Sequence, residues 1–453
     1  MRIHFIAIGG AVMHNLAIAL HRKGYIISGS DDEIFEPAAS RLAGYGLLPP
    51  EKGWHPDKIS KDIDTVILGM HARKDNPELI KARELGLEIK SFPEYLYEQT
   101  SSKRRVVIGG SHGKTTITSM IMHVLKQCGI EFDYMVGSQV SGFNTMVNLS
   151  DNSEIAVFEG DEYLSSAIDA RPKFHLYKAD IGVINGISWD HINVFPTFDT
   201  YLEQFRIFAD TIGSDGKLIY YKDDALVEDI VKGARKDITL IPYNIHGYFQ
   251  NNKGFFAATH NRVQKMEVFG QHNMQNLSAA KSVCTALGIS DDDFYHAIGS
   301  FKGSGKRMQL LSRSDTCEVY IDFAHAPSKV KATVNALAER YPGHRLVACL
   351  ELHTYSSLNT DFLDNYKGSM AEADKAYVYY NPHALKLKRL QMLDGQQVKQ
   401  SFGDTSIVVA DDSDELFHKI NAEAGPHTVY LFMSSGDFNG YDLVHFAEKL
   451  TEY

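Results

Sequence analysis

The sequence has few cysteines, no long apolar run and no excess of positive charge, and each absence excludes a class of protein. The four cysteines lie far apart with no CxxC pair, which argues against a zinc ribbon and favours a reducing, cytoplasmic setting. The sequence contains no apolar run long enough for a membrane-spanning helix, so no membrane partner is expected. The net charge of −11 disfavours nucleic acid as a partner, but it does not exclude an anionic small substrate.

Composition and strand patterns predict a globular α/β protein of several domains. The chain has 453 residues, of which 44% are hydrophobic and 23% are charged. Its first apolar stretch is too short, and Gly9-Gly10 comes too early, for a signal peptide. Alternating strands and helices predict three parts: a Rossmann-like domain (1–103), a central P-loop ATPase-like α/β domain (104–313) and a doubly wound α/β domain (314–453).

The clearest motif is a phosphate-binding turn. An apolar strand, Val106 to Ile108, is followed by Gly110-Ser-His-Gly-Lys-Thr-Thr and a helix from about Thr115. Backbone N–H groups of such a turn and the following helix N-terminus cradle anionic oxygens. Lys114, expected to be solvated in the empty loop, would add positive charge beside the outer phosphates, and the Thr115 hydroxyl could bind Mg²⁺. The loop is shorter than usual, with Ile108 where the first glycine would stand, and an ordinary turn is the alternative.

Polar residues follow two later strands of the central part. Ile155 to Phe158 precedes Glu159-Gly-Asp-Glu, and Ile181 to Ile184 is followed by a segment that reaches Asp190-His191. Because parallel strands deliver such residues to one edge of a sheet, they predict a shared magnesium site. The alternative is that Glu159 caps a helix and His191 is structural.

The first βα turn is similar to a dinucleotide fingerprint, but only loosely. Gly9-Gly10 follows the first strand and Gly29-Ser30-Asp31 ends the second, while Ala7 and Val12 occupy positions where glycines would be expected. A nucleotide-like ligand and plain αβ packing are equally supported. The defective fingerprint and the separate phosphate loop argue against a dinucleotide-dependent oxidoreductase.

Further polar groups lie downstream. Asn273 and Asn276 share one helix face, where carboxamides could contact a base or cap the helix. The basic turn that ends in Lys306-Arg307 suits either a phosphate clamp or a solvated linker.

Six motifs in one order give the chain a family resemblance. They are the phosphate loop, Glu159-Gly-Asp-Glu, Asp190-His191, His272-Asn273-x-x-Asn276, Gly303-x-x-Lys-Arg307 and Asp322-Phe-Ala-His325-x-Pro327. Over essentially its whole length the sequence resembles the Mur ligases, the ATP-dependent amide-forming enzymes of peptidoglycan synthesis.

The resemblance implies a mechanism and a set of site residues. ATP would phosphorylate the carboxylate of UDP-N-acetylmuramate, and an amine would then attack the acyl phosphate. The implied catalytic residues are Lys114, Glu159 and His191, and the implied Mg²⁺ ligands are Thr115, Glu159 and His191. The implied ATP-binding residues are Gly110, Ser111, His112, Gly113, Lys114, Thr115, Thr116, Asn273, Asn276, Arg307, Asp322 and His325. The implied UDP-substrate residues are Gly9, Gly10, Ser30, Asp31 and His71.

The amine acceptor is the open question. The stretch from Tyr163 to Phe195 resembles family members that attach the tripeptide L-alanyl-γ-D-glutamyl-meso-diaminopimelate in peptidoglycan recycling. Attachment of L-alanine is the alternative, and a P-loop ATPase or switch module is less favoured. The segment Glu351 to Tyr355 lacks an arginine that the family often carries, and Gln204 to Phe208 lacks a lysine that some members carbamylate, so no carbamylated lysine is expected. The sequence assigns no base to the amine, and a monomer or weak dimer is expected.

Overall fold

The structure is a computed structural model that describes residues 1–189, 191–305 and 307–452. The chain forms two compact units. The first comprises Met1–Ile187, Phe198–Asn244 and Ser278–Ile298, and the second comprises Ser188–Thr197, Ile245–Leu277 and the described part of Gly299–Tyr453. Across the three described ranges, no helix has the length and apolarity needed to cross a membrane.

The N-terminal part of the first unit is a parallel sheet with flanking helices. Its elements are β1 (Arg2–Ile6), α1 (Ala11–Arg22), β2 (Ile26–Ser30), α2 (Ala38–Gly44), a 3₁₀ turn (Pro56–Lys58), β3 (Thr65–Leu68), α3 (Pro77–Glu84), β4 (Glu88–Ser91) and α4 (Phe92–Gln99). The strand order is β2-β1-β3-β4. Local sequence sets the helix starts: the Asn76 side chain accepts hydrogen bonds from the N–H groups of Glu78 and Leu79, and Ser91 and Glu94 form a capping box.

The rest of the first unit is built on a larger sheet. Its elements are β5 (Arg104–Gly109), α5 (Lys114–Gln127), β6 (Asp133–Met135), β7 (Val147–Asn148), β8 (Ile155–Glu159), α6 (Lys173–Leu176), β9 (Ile181–Ile184), α7 (Phe198–Asp210), β10 (Lys217–Tyr221), α8 (Ala225–Lys232) and β11 (Thr239–Tyr243). The strand order is β11-β10-β9-β5-β8-β6-β7, parallel except for β7 against β6. Because β5 lies between β8 and β9, the carboxyl ends of all three strands are neighbours.

A small antiparallel sheet and two helices follow. They are β12 (Tyr248–Asn251), β13 (Gly254–Ala258), β14 (Val263–Met266), α9 (Gln271–Ala286) and α10 (Asp291–Ile298). The strand order is β12-β13-β14. Asn251 pairs with Gly254, so a two-residue turn joins β12 to β13. This sheet is absent from the sequence-based prediction, although the Asn-Asn-Lys-Gly turn is a signal for it.

The second unit also contains the C-terminal sheet. Its elements are β15 (Gln309–Arg313), β16 (Cys317–Asp322), α11 (Pro327–Arg340), β17 (Arg345–Leu352), a 3₁₀ helix (Thr360–Tyr366), β18 (Lys375–Tyr380), α12 (Pro382–Leu387), α13 (Gly395–Phe402), β19 (Val408–Ala410), α14 (Ser413–Ala422), β20 (Thr428–Met433) and α15 (Leu443–Leu450). The strand order is β15-β16-β20-β17-β18-β19, with β15 antiparallel to β16 and the other pairs parallel.

The predicted α/β class with parallel sheets is confirmed. The strand at Ile181–Ile184 has the predicted bounds. One difference concerns residues 309–313, which fall at the end of the predicted central part (104–313). They form the edge strand β15 and pair with β16, because an antiparallel edge strand needs only a short return of the chain.

Candidate active site

The phosphate loop connects β5 to α5 through two glycines with left-handed backbones. Gly110 has a φ of +122° and Gly113 a φ of +72°. A Cβ atom on Gly110 would lie 2.9 Å from the backbone nitrogen of Asn185, which follows β9. The N–H of Ser111 donates to the carbonyl of Gly186 at 2.9 Å. The loop therefore keeps its shape by close backbone contact with the neighbouring strand end, and only glycine fits at position 110.

Lys114, at the start of α5, forms an ion pair with Glu162. The lysine nitrogen lies 2.6 Å from Oε2 of Glu162, and the Glu162 side chain is 1% exposed. Burial alone would lower the pKa of Lys114, but the carboxylates of Glu162, Asp161 and Glu159 outweigh it and raise that pKa. The prediction of a solvated loop lysine is wrong, because a carboxylate from the segment after β8 reaches it.

Tyr201 of α7 completes this network. Its hydroxyl donates to Oε1 of Glu162 at 3.0 Å and lies 2.8 Å from the Ser111 hydroxyl oxygen. Tyr201 is fully buried. The loop, the lysine and the carboxylate are therefore joined by one side chain from a helix distant in sequence.

Glu159, at the end of β8, lies beside Thr115. Its Oε1 accepts from the Thr115 hydroxyl at 2.9 Å, and its Oε2 accepts from the N–H of Gly137 at 2.7 Å. The pairing follows from sheet register, since Glu159 is opposite Ile108 on β5. A carboxylate and a hydroxyl are oxygen donors of the kind that Mg²⁺ prefers, together with phosphate oxygens and water. These two residues therefore fit a magnesium ion.

The third predicted metal ligand, His191, belongs to the second compact unit. It has a φ of +56°, and its carbonyl accepts from the N–H groups of Val194 and Phe195 at 2.8 and 2.9 Å. Asp190 lies outside the described residues. The grouping of His191 with Thr115 and Glu159 stays a prediction.

The predicted nucleotide residues from the later motifs also lie in the second unit. Asp322 accepts from the N–H of Met308 at 2.6 Å and from the N–H of Ala324 at 2.7 Å. The Arg307 guanidinium lies over the Phe323 ring at 4.6 Å, and Nδ1 of His325 is 2.8 Å from the Phe323 carbonyl oxygen. The structure thus brings Arg307, Asp322 and His325 together around the end of β16. Lys306 is not among the described residues.

The two asparagines of α9 are both buried. Asn273 uses its side-chain amide to donate to the Phe269 carbonyl at 2.8 Å. This bond ties the start of the helix to the preceding segment, but it is not an N-cap, because the amide donates to a carbonyl and an N-cap side chain accepts from a helix N–H. Asn276 lies one turn further along the helix.

The first βα turn is closed by Asp31. The N–H of Gly9 donates to Oδ2 of Asp31 at 2.7 Å. Burial, supported by the nearby Asp32, raises the pKa of Asp31 to about 6 despite the N–H donors of Gly9 and Glu33. Ser30 is buried and its carbonyl accepts from the N–H groups of Ala7 and Ile8. Gly10 precedes α1, so four predicted substrate residues lie at one strand edge, while His71 is exposed after β3.

Family models match along the chain, in the same order as the sheets. The model described as Mur ligase family, catalytic domain matches residues 2–104, Mur ligase middle domain matches residues 108–284, and Mur ligase, glutamate ligase domain matches residues 306–436. A UDP-N-acetylmuramate–L-alanine ligase of Clostridium tetani is 32% identical over 382 residues, which cover 81% of this chain and 81% of that protein. The chain belongs to the Mur ligase family. Enzymes of this family are ATP-dependent ligases, and this Mur ligase is one of them.

Other relatives match this Mur ligase over nearly its full length. A UDP-N-acetylmuramate–L-alanyl-γ-D-glutamyl-meso-2,6-diaminoheptandioate ligase of Haemophilus influenzae is 27% identical over 450 residues, covering 97% of both chains. The crystal structure of a murein peptide ligase from Psychrobacter arcticus is 23% identical, covers 100% of this chain and 99% of that chain, and has a TM-score of 0.67. The structural match establishes a shared fold.

Sequence reasoning missed several residues that shape the site of this Mur ligase. Glu162 was noted only as part of an acidic cluster, and its position three residues after Glu159 gave no sign that it pairs with Lys114. Tyr201 and Gly137 carried no signal, because each acts through contacts with residues distant in sequence.

Proposed function

We propose that this Mur ligase joins UDP-N-acetylmuramate to the tripeptide L-alanyl-γ-D-glutamyl-meso-diaminopimelate in peptidoglycan recycling. The observation that supports the tripeptide as the amine acceptor is the full-length similarity to the Haemophilus influenzae ligase, which covers 97% of both chains. The alternative, attachment of L-alanine, is favoured by the higher identity of the Clostridium tetani ligase, 32% over 81% of this chain. Both readings share the activation of a carboxylate by ATP and differ only in the amine.

Each of three parts of the chain would bind a different substrate or part of a substrate. In this proposal residues 1–103 bind the UDP substrate, 104–313 bind ATP and 314–453 bind the amine and part of the nucleotide. The grouping of Gly9, Gly10, Ser30 and Asp31 at one strand edge supports the first assignment. The buried asparagines of α9 and the cluster of Arg307, Asp322 and His325 support contacts to the adenosine part of ATP from the later motifs.

The phosphate loop would hold the outer phosphates of ATP. In the reaction the substrate carboxylate must approach the negatively charged phosphates of ATP, and two like charges about 4 Å apart near a protein surface repel by about 4 kcal/mol. The N–H groups of the loop and Lys114 would offset this repulsion. Lys114 exchanges its contact with Glu162 for phosphate oxygens. Tyr201 keeps a hydrogen bond to Glu162, so the buried carboxylate retains a donor when the lysine moves.

Thr115 and Glu159 would hold Mg²⁺, with His191 as a further ligand. The oxygen donors of the first two residues lie 2.9 Å apart, a pair that suits this ion. When bound, Mg²⁺ supplies positive charge that offsets the repulsion between the substrate carboxylate and the transferring phosphate. Glu159 keeps its orientation because the N–H of Gly137 fixes its second oxygen.

A cytoplasmic location fits this reaction. The four cysteines Cys128, Cys284, Cys317 and Cys349 are free thiols, a state typical of a reducing compartment.

A substrate panel tests the proposal. The purified protein is incubated with ATP, Mg²⁺ and UDP-N-acetylmuramate, and ADP release is measured with the tripeptide, with L-alanine and with no amine. We expect the highest kcat/KM with the tripeptide and a product of the corresponding mass. Preference for L-alanine would replace the proposed acceptor, and ADP release that does not depend on an amine would favour a P-loop ATPase.

A further inference from the structure

Gly137 holds the Glu159 carboxylate by close backbone contact. Its N–H donates to Oε2 at 2.7 Å. A Cβ atom at position 137 would lie 2.9 Å from Oε1 and 3.1 Å from the carboxyl carbon. The backbone of Gly137 is not in the left-handed region, so a Cβ atom there would not strain the backbone but would displace the Glu159 carboxylate. The position of the Glu159 carboxylate therefore depends on where this stretch of backbone lies.

Gly137 begins a loop, residues 137–146, that we name the strap. The two ends of the strap are tied together, because the N–H of Val136 donates to the carbonyl of Met146 at 3.0 Å. Along its length, Lys126 donates to the Gly142 carbonyl at 2.7 Å and the Arg41 guanidinium donates to the Asn144 carbonyl. Movement of Met146 would thus be transmitted to Val136 and Gly137 directly.

Asn15 of α1 holds Met146 from the N-terminal sheet. The N–H of Met146 donates to Oδ1 of Asn15 at 3.0 Å. The Asn15 side chain is fully buried, and its amide donates to the Ala11 carbonyl at 2.8 Å. Since a buried N–H without an acceptor is costly, this contact specifies where Met146 lies.

His14 fixes the orientation of the Asn15 amide. Nδ1 of His14 lies 2.9 Å from the carbonyl oxygen of Gly10, which can only accept, so the proton resides on Nδ1. Nε2 then accepts from the Asn15 amide at 2.9 Å, which leaves Oδ1 of Asn15 directed to Met146. Burial, with the charge of Arg41, lowers the pKa of His14 despite the bond to Gly10, in keeping with a neutral ring. The hydrogen bonds run from Gly10 in the first βα turn to Met146.

We propose that Asn15 is a positioning residue which, through Met146 and Val136, holds the Gly137 backbone against Glu159 and so sets the metal affinity of the active site. This inference rests on the proposed role of Glu159 as a Mg²⁺ ligand. It connects the turn assigned to the UDP substrate with the carboxylate assigned to the metal by five hydrogen bonds and the peptide link from Val136 to Gly137, all within one compact unit.

The test measures Mn²⁺ binding to the full-length protein in the presence of ADP, by electron paramagnetic resonance and by calorimetry. Asn15→Ala removes the acceptor for Met146, and we expect the dissociation constant of Mn²⁺ to rise about tenfold, as for other residues that orient a ligand. Gly137→Ala should weaken Mn²⁺ binding to a similar degree. The double variant should bind Mn²⁺ no more weakly than the weaker-binding of the two single variants, because both changes act on one contact.

Two variants serve as matched controls. Ile18→Val removes buried packing from the same helix without touching the bond to Met146 and should bind Mn²⁺ within about twofold of the wild type, whereas a general packing defect in α1 would weaken binding in this variant too. Asn152→Ala replaces an exposed asparagine in the same unit and should have no effect. Thermal unfolding checks each variant, and Asn15→Ser, whose hydroxyl is too short to reach Met146, replaces Asn15→Ala if the latter does not fold.

Glu159→Ala separates this inference from the proposed function. If Glu159→Ala leaves Mn²⁺ binding unchanged, the proposed metal role of Glu159 is wrong. If Glu159→Ala abolishes binding while folded Asn15→Ala binds Mn²⁺ normally, the metal role stands and the inference about Asn15 is wrong. Additive losses in the Asn15 and Gly137 variants would also overturn it.

Discussion

Lys114 and Glu162 form an ion pair of 2.6 Å, although 48 residues separate them. The glutamate is 1% exposed and the lysine side chain 14%, so the pair is largely removed from water. Each charge depends on the other, because a lone charge at such a site is strongly disfavoured. The phosphate loop is therefore coupled to the stability of the fold as well as to nucleotide binding.

Removing one partner of this pair should destabilise the protein. We expect Lys114→Met and Glu162→Gln each to lower the free energy of unfolding by about 3 kcal/mol, because each leaves a buried charge unpaired. The double variant should lose less than the sum of the two. Urea denaturation at pH 7 measures all three, and additive losses would contradict the coupling. ATP turnover should be absent in both variants that lack Lys114.

Alanine at position 110 should damage the phosphate loop. Gly110→Ala places a Cβ atom 2.9 Å from the Asn185 nitrogen at a φ of +122°, so the loop must move. We expect ADP affinity, measured by calorimetry, to fall at least about tenfold, the equivalent of 1.4 kcal/mol. Gly129→Ala is the control, since Gly129 also has a positive φ but open space around it. Equal ADP affinity in the two variants would show that crowding at Asn185 is unimportant.

Asp31 should make stability depend on pH. Its folded pKa of about 6 lies above the ordinary value of 3.8, so the folded state holds a proton that the unfolded state releases between these values. The stability that this proton provides is present below about pH 4 and is lost as the pH rises through 6. We expect the free energy of unfolding of Asp31→Asn, relative to wild type, to rise by about 2 kcal/mol between pH 4 and pH 7. Denaturation curves at both pH values, with the exposed Asp57→Asn as control, measure this; a flat difference for Asp31→Asn would refute it.

Glu351, at the end of β17, should show the opposite pH dependence. It accepts from the Ser434 hydroxyl and from the N–H of Phe438 at 2.9 Å. Burial would raise its pKa, but His353 and these donors outweigh burial and lower it. The resulting stability is present above the ordinary value of 4.5 and is lost as the pH falls through the folded pKa.

Replacement of Glu351 by glutamine therefore has a larger effect at neutral than at acidic pH. We expect Glu351→Gln to lower the free energy of unfolding by about 2 kcal/mol at pH 7, because the acceptor loses its charge. The loss should shrink at pH 3.5. Guanidinium denaturation at the two pH values tests this, and a loss that is equal at both would contradict a charged Glu351. The exposed Glu415→Gln is a suitable control.

Features that depend on local sequence were predictable. The glycines and the apolar strand around Gly110 predicted the strand, loop and helix that the structure contains, and β9 has the predicted bounds. The family resemblance implied one Mg²⁺ site for Glu159 and Thr115, and the structure places these two side chains in contact. Such features follow from backbone preferences and from the periodicity of apolar residues, which a single sequence displays.

Features that depend on contacts between residues distant in sequence were not predictable. Nothing in the sequence around Lys114 shows that it pairs with Glu162, or that Tyr201 contacts both Glu162 and Ser111. The backbone conformation of the first turn was also not predictable, since Ala7 adopts a φ of +68° at a position where a glycine was expected. Pairings of this kind are determined by packing across the fold, and the type of a residue alone does not determine which residue it contacts.

The closed base of the strap affects which changes in chain length the protein would tolerate. Val136 and Met146 are joined by a backbone hydrogen bond, while Ser141 and Gly142 at the far end are exposed. An insertion at the far end lengthens a loop whose ends are already fixed, and each doubling of such a loop costs only about 0.6 kcal/mol. An insertion beside Gly137 or Met146 would instead shift the register of the closing bond. Homologous chains should therefore differ in length near residues 141–142 and keep a constant spacing at the base.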